Sequence, residues 1–162
     1  MNTHEFPAAP PEFLSLVHGF LAGSGHAPGA GSPLGAVELT VGESTVWLRP
    51  HPADSAALLL ELEACGTSDL HETSPVWRLL HDMNAAARFS SGWWIVAEDD
   101  SILLVRREPV SSTTPDRLGS LILEGLDRAE GLRAAIEAAS RLDGPPVDAG
   151  EAVEPQMLVQ HA

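Results

Sequence analysis

The sequence predicts an α+β fold, a twisted antiparallel sheet packed against helices in the order α-β-β-β-α-β-β-α. Three observations carry that reading. Ser74-Pro75 opens a stretch in which Val76, Leu79, Leu80, Met83 and Ala87 recur at helical spacing. Two apolar runs, Trp93–Ala97 and Ser101–Val105, flank the acidic turn Glu98-Asp99-Asp100, so the strands should pair antiparallel. Upstream, Val37, Leu39 and Val41 alternate with Glu38 and Thr40, as a half-buried strand requires.

The elements follow in order. Residues 1–10, with Pro7, Ala8, Ala9 and Pro10, are expected to form a flexible tail. A first helix is predicted over 11–22, ended by Gly23 and Gly25. Its apolar residues Phe13, Leu14, Leu16, Val17, Phe20 and Leu21 cover an arc of roughly 160°, wider than one sheet-facing stripe needs. Two readings follow: a well-buried helix, or a helix whose second flank is free for a ligand chain. Residues 23–35 are rich in Gly, Ser, Ala and Pro and read as a loop. Gly42-Glu43 turns the first strand into a second, which the prolines of Arg49-Pro50-His51-Pro52 should end, since proline cannot donate to a ladder. A third strand over 56–64 puts Leu58, Leu60 and Leu62 on one face and Leu59, Glu61 and Glu63 on the other.

In the central helix Ser74 suits the N-cap and Pro75 the first helical position, where its missing N–H is no loss. Trp93 and Trp94 are adjacent on a strand, so they must point to opposite faces. One enters the core; the other needs a cover or a partner, and Trp is enriched at interface centres. After a polar linker over 109–113, Thr114-Pro115 opens a last helix with a regular stripe from Leu118 to Ala139. Glu124–Arg128 and Glu137–Arg141 are spaced as i,i+4 surface pairs, and Gly125 falls inside the stripe, where it permits a close helix–sheet contact. Asp143-Gly144-Pro145-Pro146 ends the helix, leaving residues 143–162 as an acidic, disordered tail and 11–142 as the domain.

Composition bounds the function. In 162 residues, 9 basic side chains (all arginine) face 23 acidic ones, a net charge of -14. Phosphate binding needs cationic surface, so a nucleic-acid partner is not expected. Cys65 is the only cysteine, which excludes an internal disulfide and a C-x-x-C motif. No apolar run approaches a bilayer span and no signal-peptide pattern opens the chain, so a cytoplasmic protein without membrane insertion is expected.

The chain carries little recognisable chemistry. The seven histidines include no H-E-x-x-H or H-x-x-x-H pair, and His71 and His81 lack the spacing of helical ligands. His18 reads as a partly buried packing residue. Ser24 lacks the strand–turn–helix setting of a nucleophile elbow, and Gly29-Ala30-Gly31 follows no strand. Asp99 and Asp100 read as turn residues, not a carboxylate dyad. No catalytic residue, metal or cofactor is predicted, and the chain is not expected to be an enzyme.

In size, acidity, element order and the wording of Trp77-Arg78-Leu79-Leu80-His81-Asp82-Met83-Asn84 followed by the 93–105 hairpin, residues 11–142 resemble the class I chaperones of bacterial type III secretion, the Tir-chaperone-like family. The acidic tail and Gly-rich loop exceed the minimal pattern and suggest a multi-effector member of a plant-pathogen system. The resemblance implies a homodimer that binds the N-terminal segment of secreted effector proteins in extended form and delivers it to the secretion ATPase. It points to Val76, Leu79, Leu80, Met83, Trp93 and Trp94 as the dimer interface. Together with the wide arc of the first helix, it points to Phe13, Leu14, Val17 and Leu21 as effector-binding residues. The alternatives are an acidic immunity protein that binds one folded toxin, and a small enzyme whose site the sequence does not display.

Overall fold

A computed structural model describes residues 9–25, 35–67, 70–71, 74–87 and 92–141. The predicted C-terminal tail, the N-terminal tail up to residue 8, most of the Gly-rich loop and the Gly29-Ala30-Gly31 run lie outside the described residues, while Ala9 of the expected flexible tail packs against the core. The element order is α1 (Pro11–Gly23), β1 (Val37–Val41), β2 (Ser44–His51), β3 (Asp54–Gly66), α2 (Pro75–Ala87), β4 (Trp93–Glu98), β5 (Ser101–Pro109), a 3-10 turn (Val110–Ser112) and α3 (Pro115–Arg141). The strands form one antiparallel sheet in the order β1-β2-β3-β5-β4, with the long β3–β5 ladder at its centre.

Local chemistry accounts for the element ends. The Ser74 hydroxyl accepts a hydrogen bond from the Val76 N–H, and the Thr114 hydroxyl accepts one from Arg117, so both Ser/Thr-Pro starts are capped helices. Gly42, at φ 63°, takes the left-handed position of the two-residue β1–β2 turn. In the β4–β5 turn Asp99 fills that position at φ 50°, which a short polar side chain tolerates.

The predicted end of β2 falls within Arg49–Pro52: the strand runs through Pro50, paired with Leu58, and stops at His51, just before Pro52, with a register shift between Pro50 and His51. β1 begins at Val37, opposite Leu48, so at Pro50 the strand has a neighbour on one side only. That is the setting in which a missing N–H is tolerated.

All three helices pack on one sheet face. Leu58, Leu60 and Leu62 of β3, with Val46, Leu48 and Leu104, meet Phe13, Leu16 and Val17 of α1 and Leu118, Leu121 and Ile122 of α3. At the far end Val76 and Leu80 of α2 close over Ala64, Ile102, Leu132 and Ile136. Gly125 lets α3 approach: a Cβ there would sit 2.6 Å from Trp93 Cη2 and 2.8 Å from a Leu62 methyl. The close contact read from the sequence is therefore present.

Candidate functional site

The predicted site residues fall on α1, α2 and β4, and the structure divides them into buried and accessible sets. On α1, Phe13, Val17 and Leu21 are buried in the main core, and Leu14 is half-buried at its margin. The wide arc has two neighbours to cover it, the sheet and α3: a Cβ on Gly19 would lie 3.2 Å from Pro115, and one on Gly119 3.5 Å from the Phe20 ring. Of the four predicted effector-binding residues, Leu14 alone keeps part of its surface, on the flank of α1 away from Phe20 and α3. His18 is exposed, not packed.

On α2 and β4 the division is similar. Val76 and Leu80 belong to the second core cluster, while Leu79 and Met83 keep part of their surface. Trp93 is 2% exposed and Trp94 37%, so adjacent tryptophans do face opposite ways. Beneath α3 the Trp93 indole N–H donates to Glu124 Oε1 at 3.0 Å, and Arg128 donates to the same oxygen at 3.1 Å. The Arg106 guanidinium lies 5.5 Å over the indole ring and pairs with Glu108 at 2.5 Å. Burial works against the Glu124 charge, yet the indole N–H, Arg128 and Arg106 outweigh it and hold the carboxyl below its ordinary range. Glu124 and Arg128 thus form the predicted surface pair, and Glu124 also ties α3 to the sheet.

The opposite face carries no helix among the described residues. Ala57, Leu59 and Val105 are buried there, outside both helix-packed clusters. Trp47, Glu61, Val105 and Trp94 stand in register across four strands. Arg49 meets the buried Glu61 carboxylate through Nε at 2.7 Å and an Nη at 2.5 Å. Burial nevertheless pushes the Glu61 carboxyl above its ordinary range, outweighing Arg49, with the charge of Glu98 adding to the rise. This row of two tryptophans flanking a buried glutamate, itself paired to the half-exposed Arg49, was not singled out from the sequence. Its signal was the outward Leu59 and Glu61 beside Trp47.

His71 and His81 are both exposed, and among the described residues no group of three or more His, Cys, Asp or Glu could hold a metal ion. Burial, the largest influence, pushes the Cys65 thiol up, away from a reactive thiolate. No helix of the described residues is long and apolar enough to cross a membrane.

No protein-family model matches the chain, and neither does any curated protein. Solved structures do. The structure of the Yersinia pestis type III secretion chaperone SycH, in complex with a stable fragment of YscM2, matches at TM-score 0.58 and 20% identity. That match covers 74% of this chain and 98% of the other. The ExsC–ExsE complex matches at TM-score 0.63 and 21% identity, over 75% and 91% of the two chains. The HopA1–SchA chaperone–effector complex matches at 0.64 and 13%, over 76% and 94%. The chain therefore has the fold of the class I type III secretion chaperones. The α+β architecture and element order expected from the sequence are those of this fold.

Proposed function

We propose that this protein is a cytoplasmic chaperone of type III secretion. It binds the N-terminal segment of secreted effector proteins in extended form, keeps it secretion-competent and delivers it to the secretion ATPase, without a catalytic step of its own. The observation that carries the reading is the fold, which spans nearly the whole of chains crystallised as chaperone complexes. Three physical features support it. Leu14 offers apolar surface on the flank of α1 that α3 does not cover. Among the described residues nothing hydrogen-bonds to the outer edge of β1, and an extended peptide binds such an edge by adding a strand. A net charge of -14 attracts basic segments. The active form in this reading is a homodimer joined through Leu79, Met83 and Trp94, the accessible members of the predicted interface.

The test is binding of the purified chain to the N-terminal segment of a secreted protein from the same genome. The segment should bind while remaining protease-sensitive outside the contact, and Leu14→Asp should weaken capture by about tenfold or more. Binding of one folded protein instead, with Leu14→Asp neutral, would move the reading to an immunity protein.

A further inference from the structure

β4 is an edge strand of the sheet, and its run Trp93-Trp94-Ile95-Val96-Ala97 has strong β-propensity, no proline and no glycine, the strand's one charge being its last residue, Glu98, at the turn. Exposed edges of this composition pair with other chains unless something guards them. β1, the other edge, carries a charge at Glu38. β4 has its guard elsewhere. The Asn84 side chain, reaching from α2, accepts a hydrogen bond from the Ile95 N–H at 2.6 Å and donates one to the Ile95 carbonyl at 2.8 Å. In an antiparallel ladder the N–H and C=O of one residue point to the same side. Ile95 turns both to Asn84, so they face outward from the sheet while Trp94 and Val96 pair with Val105 and Leu103. The carboxamide offers one donor and one acceptor in the arrangement a neighbouring strand's peptide would present.

We propose that Asn84 is a strand-edge guard: it occupies the outward main-chain groups of Ile95, denies β4 to pairing with a second copy of this chain, and directs any added strand to β1. A partner on β4 is thereby restricted to side-chain contacts such as Trp94. The inference does not depend on which protein the chain binds. A helix residue with a purely structural role would tie α2 to β4 and nothing more; a guard also keeps the edge from associating.

The two roles separate in one set of variants. Alanine is a good helix former, so Asn84→Ala removes the amide without weakening α2 itself. The variant should expose Ile95, speeding exchange of its amide hydrogen by about tenfold, the size expected for one lost hydrogen bond. In light scattering it should also reach a mass above that of the parent, growing with concentration. Adding Ala97→Lys, a charge on the exposed end of β4, should return the mass to the parent value. An Asn84→Ala mass equal to or below the parent's overturns the proposal, as does association that Ala97→Lys leaves untouched. If the variant fails to fold, the parent decides the matter: an Ile95 amide that exchanges as fast as an exposed one is unguarded, and the proposal fails.

Discussion

The two faces of the sheet use the same materials to different ends. Each has a tryptophan from β4, a partly or wholly buried glutamate and an arginine beside it. On the helix side Trp93, Arg106 and Glu124 form a closed network under α3, and all three contribute to fastening the helix. On the other side Glu61 and Arg49 pair between Trp47 and Trp94, and no described helix closes over them. The difference lies in what each tryptophan has left to do. Trp93 has spent its ring on Leu62 and Gly125 and its N–H on Glu124, whereas Trp94 retains surface. One face is fastened under α3; on the other, among the described residues, Trp94 keeps exposed surface beside the buried Leu59, Glu61 and Val105.

The largest test of that contrast sets Leu60→Ala against Trp94→Glu. Leu60 is fully buried under the helices, so truncation should cost about 2–5 kcal/mol, read by denaturant unfolding. Trp94→Glu should leave unfolding nearly unchanged, within about 0.5 kcal/mol for the separated chain. Its effect should appear in mass: the parent is expected at about twice 17.1 kDa, and the variant at the single-chain value. A Trp94→Glu chain that unfolds as readily as Leu60→Ala would erase the distinction between the faces.

A smaller effect tests the closure of the helix side. In an exposed helix Gly→Ala stabilises by up to about 1 kcal/mol. At Gly131 a Cβ meets nothing within 4 Å, so Gly131→Ala should show that gain. At Gly125 the same substitution drives a methyl into the Trp93 ring, and the sign should reverse to a loss of about 1–3 kcal/mol. Two stabilising alanines would mean that α3 does not sit as close to the sheet as its contacts require.

Most of this architecture was legible because its causes are local. The Ser74 and Thr114 caps, the Gly42 and Asp99 turns and the alternation of Trp93 and Trp94 each depend on residues a few positions apart. What escaped depends on partners distant in sequence. Pro50 fits inside β2 only because β1 begins no earlier than Val37, opposite Leu48, which no pattern within β2 reveals. The breadth of α1's apolar arc is ambiguous until α3 is known to lie against it. Asn84 reads as one more polar residue on a helix, and its meaning comes from Ile95, eleven residues on and across an edge. The segments proposed for the site, α1 and α2–β4, rest on the sequence and the resemblance alone. Which side chains within them are accessible was decided by burial, and burial took Phe13, Val17, Val76 and Trp93 for the core.

The finest distinction between the faces is in how their glutamates respond to pH. Glu124 has its carboxyl lowered in the fold, so its ion pairs stabilise above the ordinary glutamate value of 4.5 and that contribution is lost as pH falls through the lowered value. Glu61 is raised, so the folded chain binds its proton more readily than the unfolded chain does. Its charge therefore counts against stability at neutral pH, and the penalty lifts as pH falls through the raised value toward 4.5. Glutamine keeps the shape and removes the titration. Glu124→Gln should melt below the parent at neutral pH, with the gap closing in acid. Glu61→Gln should melt at or above the parent at neutral pH, with its advantage shrinking in acid, since a buried ion pair often breaks even with a neutral replacement. Thermal melts of both variants against the parent, taken in steps from neutral to acid pH, should thus give difference curves of opposite sign that converge at low pH. Curves of the same sign would mean that Arg49 holds the Glu61 charge as firmly as the Trp93 network holds Glu124, and that the helix-free face is as closed as the other.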